Sequence, residues 1–207
     1  MDPATSDGSE TRSVSRGAWI LGGVVCGVAW AAALRGYMVE LAGAQSTVTW
    51  GGTFGALLLP GAVTGGLLGW AEHLRRTGGR PGWRWSALAP LPLALAPLLL
   101  PGAIETLTTT GEGSGAIAIA LMGAVGGYAL AGRGPRWART ACGIASVATA
   151  LALGASAPAI TCTSLGDPRT AWTAVLAVSL YAALALGCAI PFLRVAERST
   201  QLRVPVP

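Results

Sequence analysis

The chain has 207 residues, of which 52% are hydrophobic and only 11% charged, with a mean hydropathy of +0.57. Soluble domains carry roughly 25% charged residues, so this composition excludes an ordinary water-facing surface. All fourteen basic residues behind the net charge of +5 are arginine, which excludes Schiff-base chemistry and a phosphate-loop lysine.

The expected fold is an all-α integral membrane protein with six transmembrane helices and both termini cytoplasmic. Residues 1–16 are small, polar and aperiodic, as expected of a disordered cytoplasmic tail. The transmembrane domain is expected over 17–190 and a second cytoplasmic tail over 191–207. Ala18 to Leu34 predicts the first span, at about 18–34. Asp2, Asp7 and Glu10 precede it, whereas a signal peptide opens with basic residues, so the span is read as uncleaved.

Arg35 and Glu40 follow, five residues apart, a poor spacing for a helical ion pair. Both are expected near the outer interface. A polar connection over 44–52 carries Trp50 as an interfacial anchor, and the second span is expected at about 54–70. The stretch after it holds Arg75, Arg76, Arg80 and Arg84 among turn-forming Gly and Pro.

The third span, about 86–104, contains Pro90, Pro92, Pro97 and Pro101, so a kinked or partly unwound helix is predicted. A mildly acidic loop over 105–114 leads to the fourth span, about 115–131. Arg133, Arg136 and Arg139 then flank Trp137. The fifth span is expected at about 140–160 and the sixth at about 170–190, with Arg194, Arg198 and Arg203 beyond it. With the N-terminus inside, twelve arginines fall on the inner side, and only Arg35 and Arg169 on the outer, the asymmetry of cytoplasmic loops. The localisation expected is the cytoplasmic membrane, multi-pass.

Three sets of glycines stand at four-residue spacing: Gly23 with Gly27, Gly61 with Gly65 and Gly69, and Gly123 with Gly127. Such stripes let helix backbones approach closely in lipid, so they are read as helix-packing faces, mainly within the chain, with a homodimer or another membrane protein as the other possible partner. Glu72 lies three and four residues before Arg75 and Arg76, which predicts ion pairs at the inner interface. The inner arginines also suit anionic lipid headgroups. Nucleic acid is not an expected partner, because the arginines lie between apolar runs rather than on one folded face.

LLLPGAV at 57–63 is echoed by LLLPGAI at 98–104. Pro60 and Pro101, together with Glu40 and Glu105, are therefore candidates to line an outward-facing vestibule for a cationic or neutral solute. The fifth span carries Cys142, Ser146, Thr149 and Ser156 along one side, read as small-residue packing with hydroxyls bonded to their own backbone.

Enzyme chemistry is not expected. Ser114, in GEGSG, falls on the outer side and His73 on the inner, and a Ser/His pair cannot form across a bilayer. The spacing of His73 and of Cys26, Cys142, Cys162 and Cys188 suggests neither a metal site nor a disulfide framework, and of the four cysteines only Cys162 is expected to be exposed. No cofactor motif is present. The functional expectation is a partner-binding scaffold or accessory subunit of the cytoplasmic membrane, with a small transporter or channel subunit as the alternative.

Overall fold

The computed structural model describes residues 15–43, 46, 48–78, 83–99, 102, 105, 114–164 and 166–194, and every element among them is helical. Residues 1–14 and 195–207, with Pro101 and Glu112, lie outside the described residues, as does most of the polar stretch between Glu105 and Ser114.

Helix α1 spans Arg16–Ala42. The Ser15 hydroxyl caps it by accepting from the Ala18 N–H, and Gly43 ends it at φ 53. It is two turns longer than the expected first span, because Arg35 and Glu40 each find a polar partner and need not stop the helix.

Helix α2, Leu59–Arg76, is preceded without a break by a π-helical stretch, Trp50–Leu58. Proline at position 60 has no N–H and its ring would strike the carbonyl of residue 56 in a continuous α-helix. Widening the preceding turns to a five-residue repeat, in which the Leu59 N–H bonds to the Phe54 carbonyl, removes that conflict. The helical segment therefore starts at Trp50, not at residue 54, with the Thr49 hydroxyl as its cap.

The third segment is broken, as its prolines require. A 3-10 turn at Trp83–Leu88, helix α3 at Leu91–Leu95 and a further 3-10 turn at Ala96–Leu99 follow one another. Helix α4 covers Ser114–Leu130, α5 Arg136–Thr161 and α6 Pro168–Ala189, with α6 continuing into a 3-10 turn at Ile190–Phe192. The Asp167 carboxylate caps α6, accepting from the Arg169 N–H at 2.8 Å, and Pro168 occupies the first turn, where no N–H is needed.

Four of these segments are long and apolar enough to cross a membrane: Arg16–Ala42, Trp50–Arg76, Arg136–Thr161 and Pro168–Phe192. Trp85–Leu99 and Ile117–Leu130 are apolar but shorter.

Helix α6 is the centre of the bundle. Leu184 and Cys188 pack with Leu93 and Ala94 of α3 and Ala120 of α4. Ala177 and Leu180, higher on the same helix, pack with Leu34 and Tyr37 of α1. Trp30 touches both clusters and donates its indole N–H to the Leu180 carbonyl at 2.8 Å. A buried indole needs such an acceptor, which explains the one tryptophan placed deep in a span.

Candidate functional site: a glycine-walled cavity with an arginine rim

Helices α1 and α2 meet backbone to backbone. A Cβ added at Gly23 would strike the Gly65 carbonyl oxygen, one at Gly27 the Gly61 oxygen, and one at Gly69 the Trp19 oxygen. The two glycine stripes are thus complementary halves of one seam inside the chain. Gly127 does the same against the backbone of Cys188, and Gly123 against the Leu184 side chain. All seven predicted packing glycines make close intramolecular contacts.

The polar stripe on α5 behaves as expected for packing. Thr149 donates to the Ala145 carbonyl and Ser156 to the Leu153 carbonyl. Ser146 instead meets the Tyr181 hydroxyl at 2.9 Å, and Tyr181 also donates to the Met122 carbonyl, so one phenol ties α4, α5 and α6 together.

Charges separate to the two ends of the bundle. At one end Glu72 accepts two hydrogen bonds from Arg75, at 2.7 and 2.6 Å, and one from Arg76 at 2.5 Å. The Arg76 guanidinium also lies 4.4 Å from the centroid of the Trp19 ring, a cation–π contact. Arg75 reaches on to the Arg194 carbonyl and Arg133 to the Leu193 carbonyl. Arg75, in the last turn of α2, and Arg133, after α4, therefore hold the segment after α6, with Pro191 buried and Phe192 edge-on to Tyr128. The start of the expected C-terminal tail, residues 191–194, thus packs against the helices. The predicted Glu72 pairs are both present, and His73 is half-buried beside them.

At the opposite end Glu40 pairs with Arg169 at 3.0 Å, and Arg35 bonds to Ser46 and Thr53. Pro60 is buried in the first turn of α2. Glu105 is exposed, and Pro101 lies outside the described residues. The cavity at this end, about 250 Å³, is lined by Arg35, Thr49 and Thr53 among others, and by neither Glu40 nor Pro60. These two vestibule candidates are therefore not brought together there.

A larger cavity, about 560 Å³, lies between the α1–α2 seam and α6. Its wall is almost wholly apolar and rich in glycine. Gly22, Cys26 and Trp30 contribute from α1, Thr64 and Leu68 from α2, and Gly187 from α6. Glu72 closes the basic end, next to Trp19. Gly22 and Cys26 are exposed, so the cavity opens sideways between helices. The Thr64 hydroxyl, on a residue only 3% exposed, is buried with no hydrogen-bond partner.

No run of charges or polar residues announces this cavity in the sequence. Its signal is the presence of glycines beyond those the seam uses: a Cβ at Gly22 would meet nothing within 4 Å. Cys26, expected to be enclosed in its apolar run, is exposed on the same wall. Among the described residues no group of His, Cys, Asp or Glu is placed to hold a metal ion.

No protein-family model matches this chain, and no curated protein or solved structure is detectably similar to it.

Proposed function

We propose that this protein is a non-catalytic, partner-binding scaffold or accessory subunit of the cytoplasmic membrane. Its six apolar segments cross or enter the bilayer, with the arginine-rich end on the cytoplasmic side. The observation that carries this reading is the construction of that end. Arg75, in the last turn of α2, and Arg133, after α4, fix the segment after α6 by its backbone carbonyls, and Arg76 and Arg194 are exposed at the same end. Arg136 and Arg139 open α5 on the same side. A rigid basic face at the inner boundary suits an acidic protein partner or anionic lipid.

The opposite end gives less support to transport. Glu40, one of the two acidic residues on which the vestibule reading leans, is committed to Arg169.

The test is purification in mild detergent of the wild type and of the double variant Arg136→Glu/Arg139→Glu. The expected result is a membrane protein co-purifying in stoichiometric amount with the wild type and lost from a folded variant. A partner retained unchanged by the variant, or a solute-uptake defect in cells carrying Glu40→Gln at normal protein level, overturns the scaffold reading.

A further inference from the structure

We propose that the cavity beside the α1–α2 seam is a binding site for one acyl chain of an anionic phospholipid of the inner leaflet. Rim arginines would hold the phosphate and Thr64 would meet an ester carbonyl. The assignment of leaflet rests on the membrane orientation proposed above; the chemistry of the site does not.

Length comes first. The cavity runs from Trp19 to Trp30 along α1, and eleven residues of helix measure about 16 Å. That is close to half of the roughly 30 Å hydrocarbon core, the depth of a single leaflet. Trp30 is held in place by its bond to Leu180 and closes the deep end.

Shape and access agree with a chain rather than a compact solute. The glycines leave a smooth trough along α1 and α2, and the opening at Gly22 and Cys26 is lateral, towards the surrounding bilayer. A lipid already in the leaflet enters such a trough without leaving the hydrocarbon.

Charge fixes the head group. Glu72 is the only acidic residue on the cavity wall, and two guanidinium groups sit on it. Arg133 reaches the Leu193 carbonyl, in the segment after α6, at the same end. The rim therefore carries an excess of positive charge, and Arg76 remains half-exposed there, supported by the Trp19 ring. A phosphate needs such a donor.

Thr64 supplies an independent sign of a ligand. Buried hydroxyls are satisfied as a rule, and this one is not. It lies eight residues from Glu72, about 12 Å along α2. Both side chains lean towards the N-terminus of α2, and that of Glu72 is the longer, so its carboxylate, with Arg76 on it, stands nearer to Thr64 than the backbone spacing implies. An acceptor just below a phosphate held at Arg76, the ester carbonyl of a glycerolipid, is the group the hydroxyl lacks.

The experiment is native mass spectrometry of the purified full chain, incubated with phosphatidylglycerol or phosphatidylcholine of identical acyl chains. Each variant is first checked for folding by its unfolding midpoint in detergent. Wild type is expected to retain one phosphatidylglycerol in preference to phosphatidylcholine. Gly22→Leu, whose new side chain starts in open space, is expected to lose both adducts, and Cys26→Trp blocks the same trough should that variant fold poorly.

Arg76→Gln is expected to weaken phosphatidylglycerol retention about tenfold, the worth of one charge-assisted hydrogen bond, and phosphatidylcholine, whose phosphate it also meets but whose choline it repels, by less. Thr64→Val is expected to weaken both lipids about threefold, in line with a single hydrogen bond in a membrane protein. An adduct that survives both trough-filling variants overturns the site, as does a dimer of the chain that Gly22→Leu abolishes. Equal retention of the two lipids by wild type overturns the anionic assignment. None of these outcomes depends on which side of the membrane the arginines face, which labelling of Cys162 decides separately.

Discussion

The indole N–H of Trp30 in α1 donates to the backbone carbonyl of Leu180 in α6 at 2.8 Å, across 150 residues of sequence. The bond fastens the first helix to the last and sits where both core clusters meet. Trp30→Phe keeps most of the ring but removes the donor, and is expected to cost about 0.5 to 1.5 kcal/mol. Trp30→Ala also empties the junction and is expected to cost about 3 to 5 kcal/mol. Unfolding of the purified protein by a denaturing detergent measures both.

The seam between α1 and α2 makes a sharper demand. At Gly65 a methyl group would occupy the position of the Gly23 carbonyl oxygen, which is backbone and has no rotamer to change. Gly65→Ala is therefore expected to separate the helices and to lower stability by about 1 to 3 kcal/mol, the range for an overpacked core. Gly36→Ala, on α1 but with nothing near its Cβ, is the control. It is expected to be neutral or to stabilise by up to about 1 kcal/mol through helix propensity. Equal effects at the two positions would mean that the seam does not hold the helices together.

Of the two arginines on Glu72, Arg75 is expected to matter more. Its guanidinium makes two bonds to the carboxylate and a third to the Arg194 carbonyl, with its side chain 21% exposed, against 54% for Arg76. Exposed ion pairs contribute about 0 to 1 kcal/mol, whereas hydrogen bonds between charged groups sheltered from water contribute about 1.5 to 3 kcal/mol. Arg75→Gln should lie in the second range and Arg76→Gln in the first, measured as unfolding free energies. Arg75→Gln should also expose the segment after α6 to limited proteolysis.

Orientation is tested by Cys162. It caps α5 in a left-handed conformation, φ 55, and is exposed at the end opposite the arginine rim. An impermeant maleimide is expected to label it in intact cells, and Cys162→Ser to abolish the signal. Cys26 is exposed too but sits within an apolar helix, where an impermeant reagent has no access. Labelling of Cys162 only after permeabilisation would reverse the proposed orientation.

Much of this architecture is legible in the sequence. The apolar runs, the breaks at proline in the third segment and the Glu72 pairs all depend on residues close in sequence, and local spacing reports them. What spacing does not report is the partner of each face. Gly123 and Gly127 announced a close approach, but their partner is the Leu184 and Cys188 side of α6, which has no matching stripe. Glu40 and Arg35 looked like an outer pair of unmatched charges; Arg169, 129 residues away, and the hydroxyls of Ser46 and Thr53 answer them instead. Pro60 signalled a disturbance without saying that the chain would absorb it by widening into a π-helix. The cavity was hidden for a related reason: a trough is the gap left by three helices, and no one of them encodes it alone.

The central place of α6 also governs the order in which the protein is able to form. Both core clusters require residues between Ala177 and Cys188, so the bundle stays open until the last quarter of the chain has left the ribosome. The α1–α2 hairpin needs nothing later than Gly69 to close its seam. The α1–α2 seam is thus able to close early in synthesis, whereas α4, which touches both α3 and α5 directly, completes its core cluster only when α6 arrives.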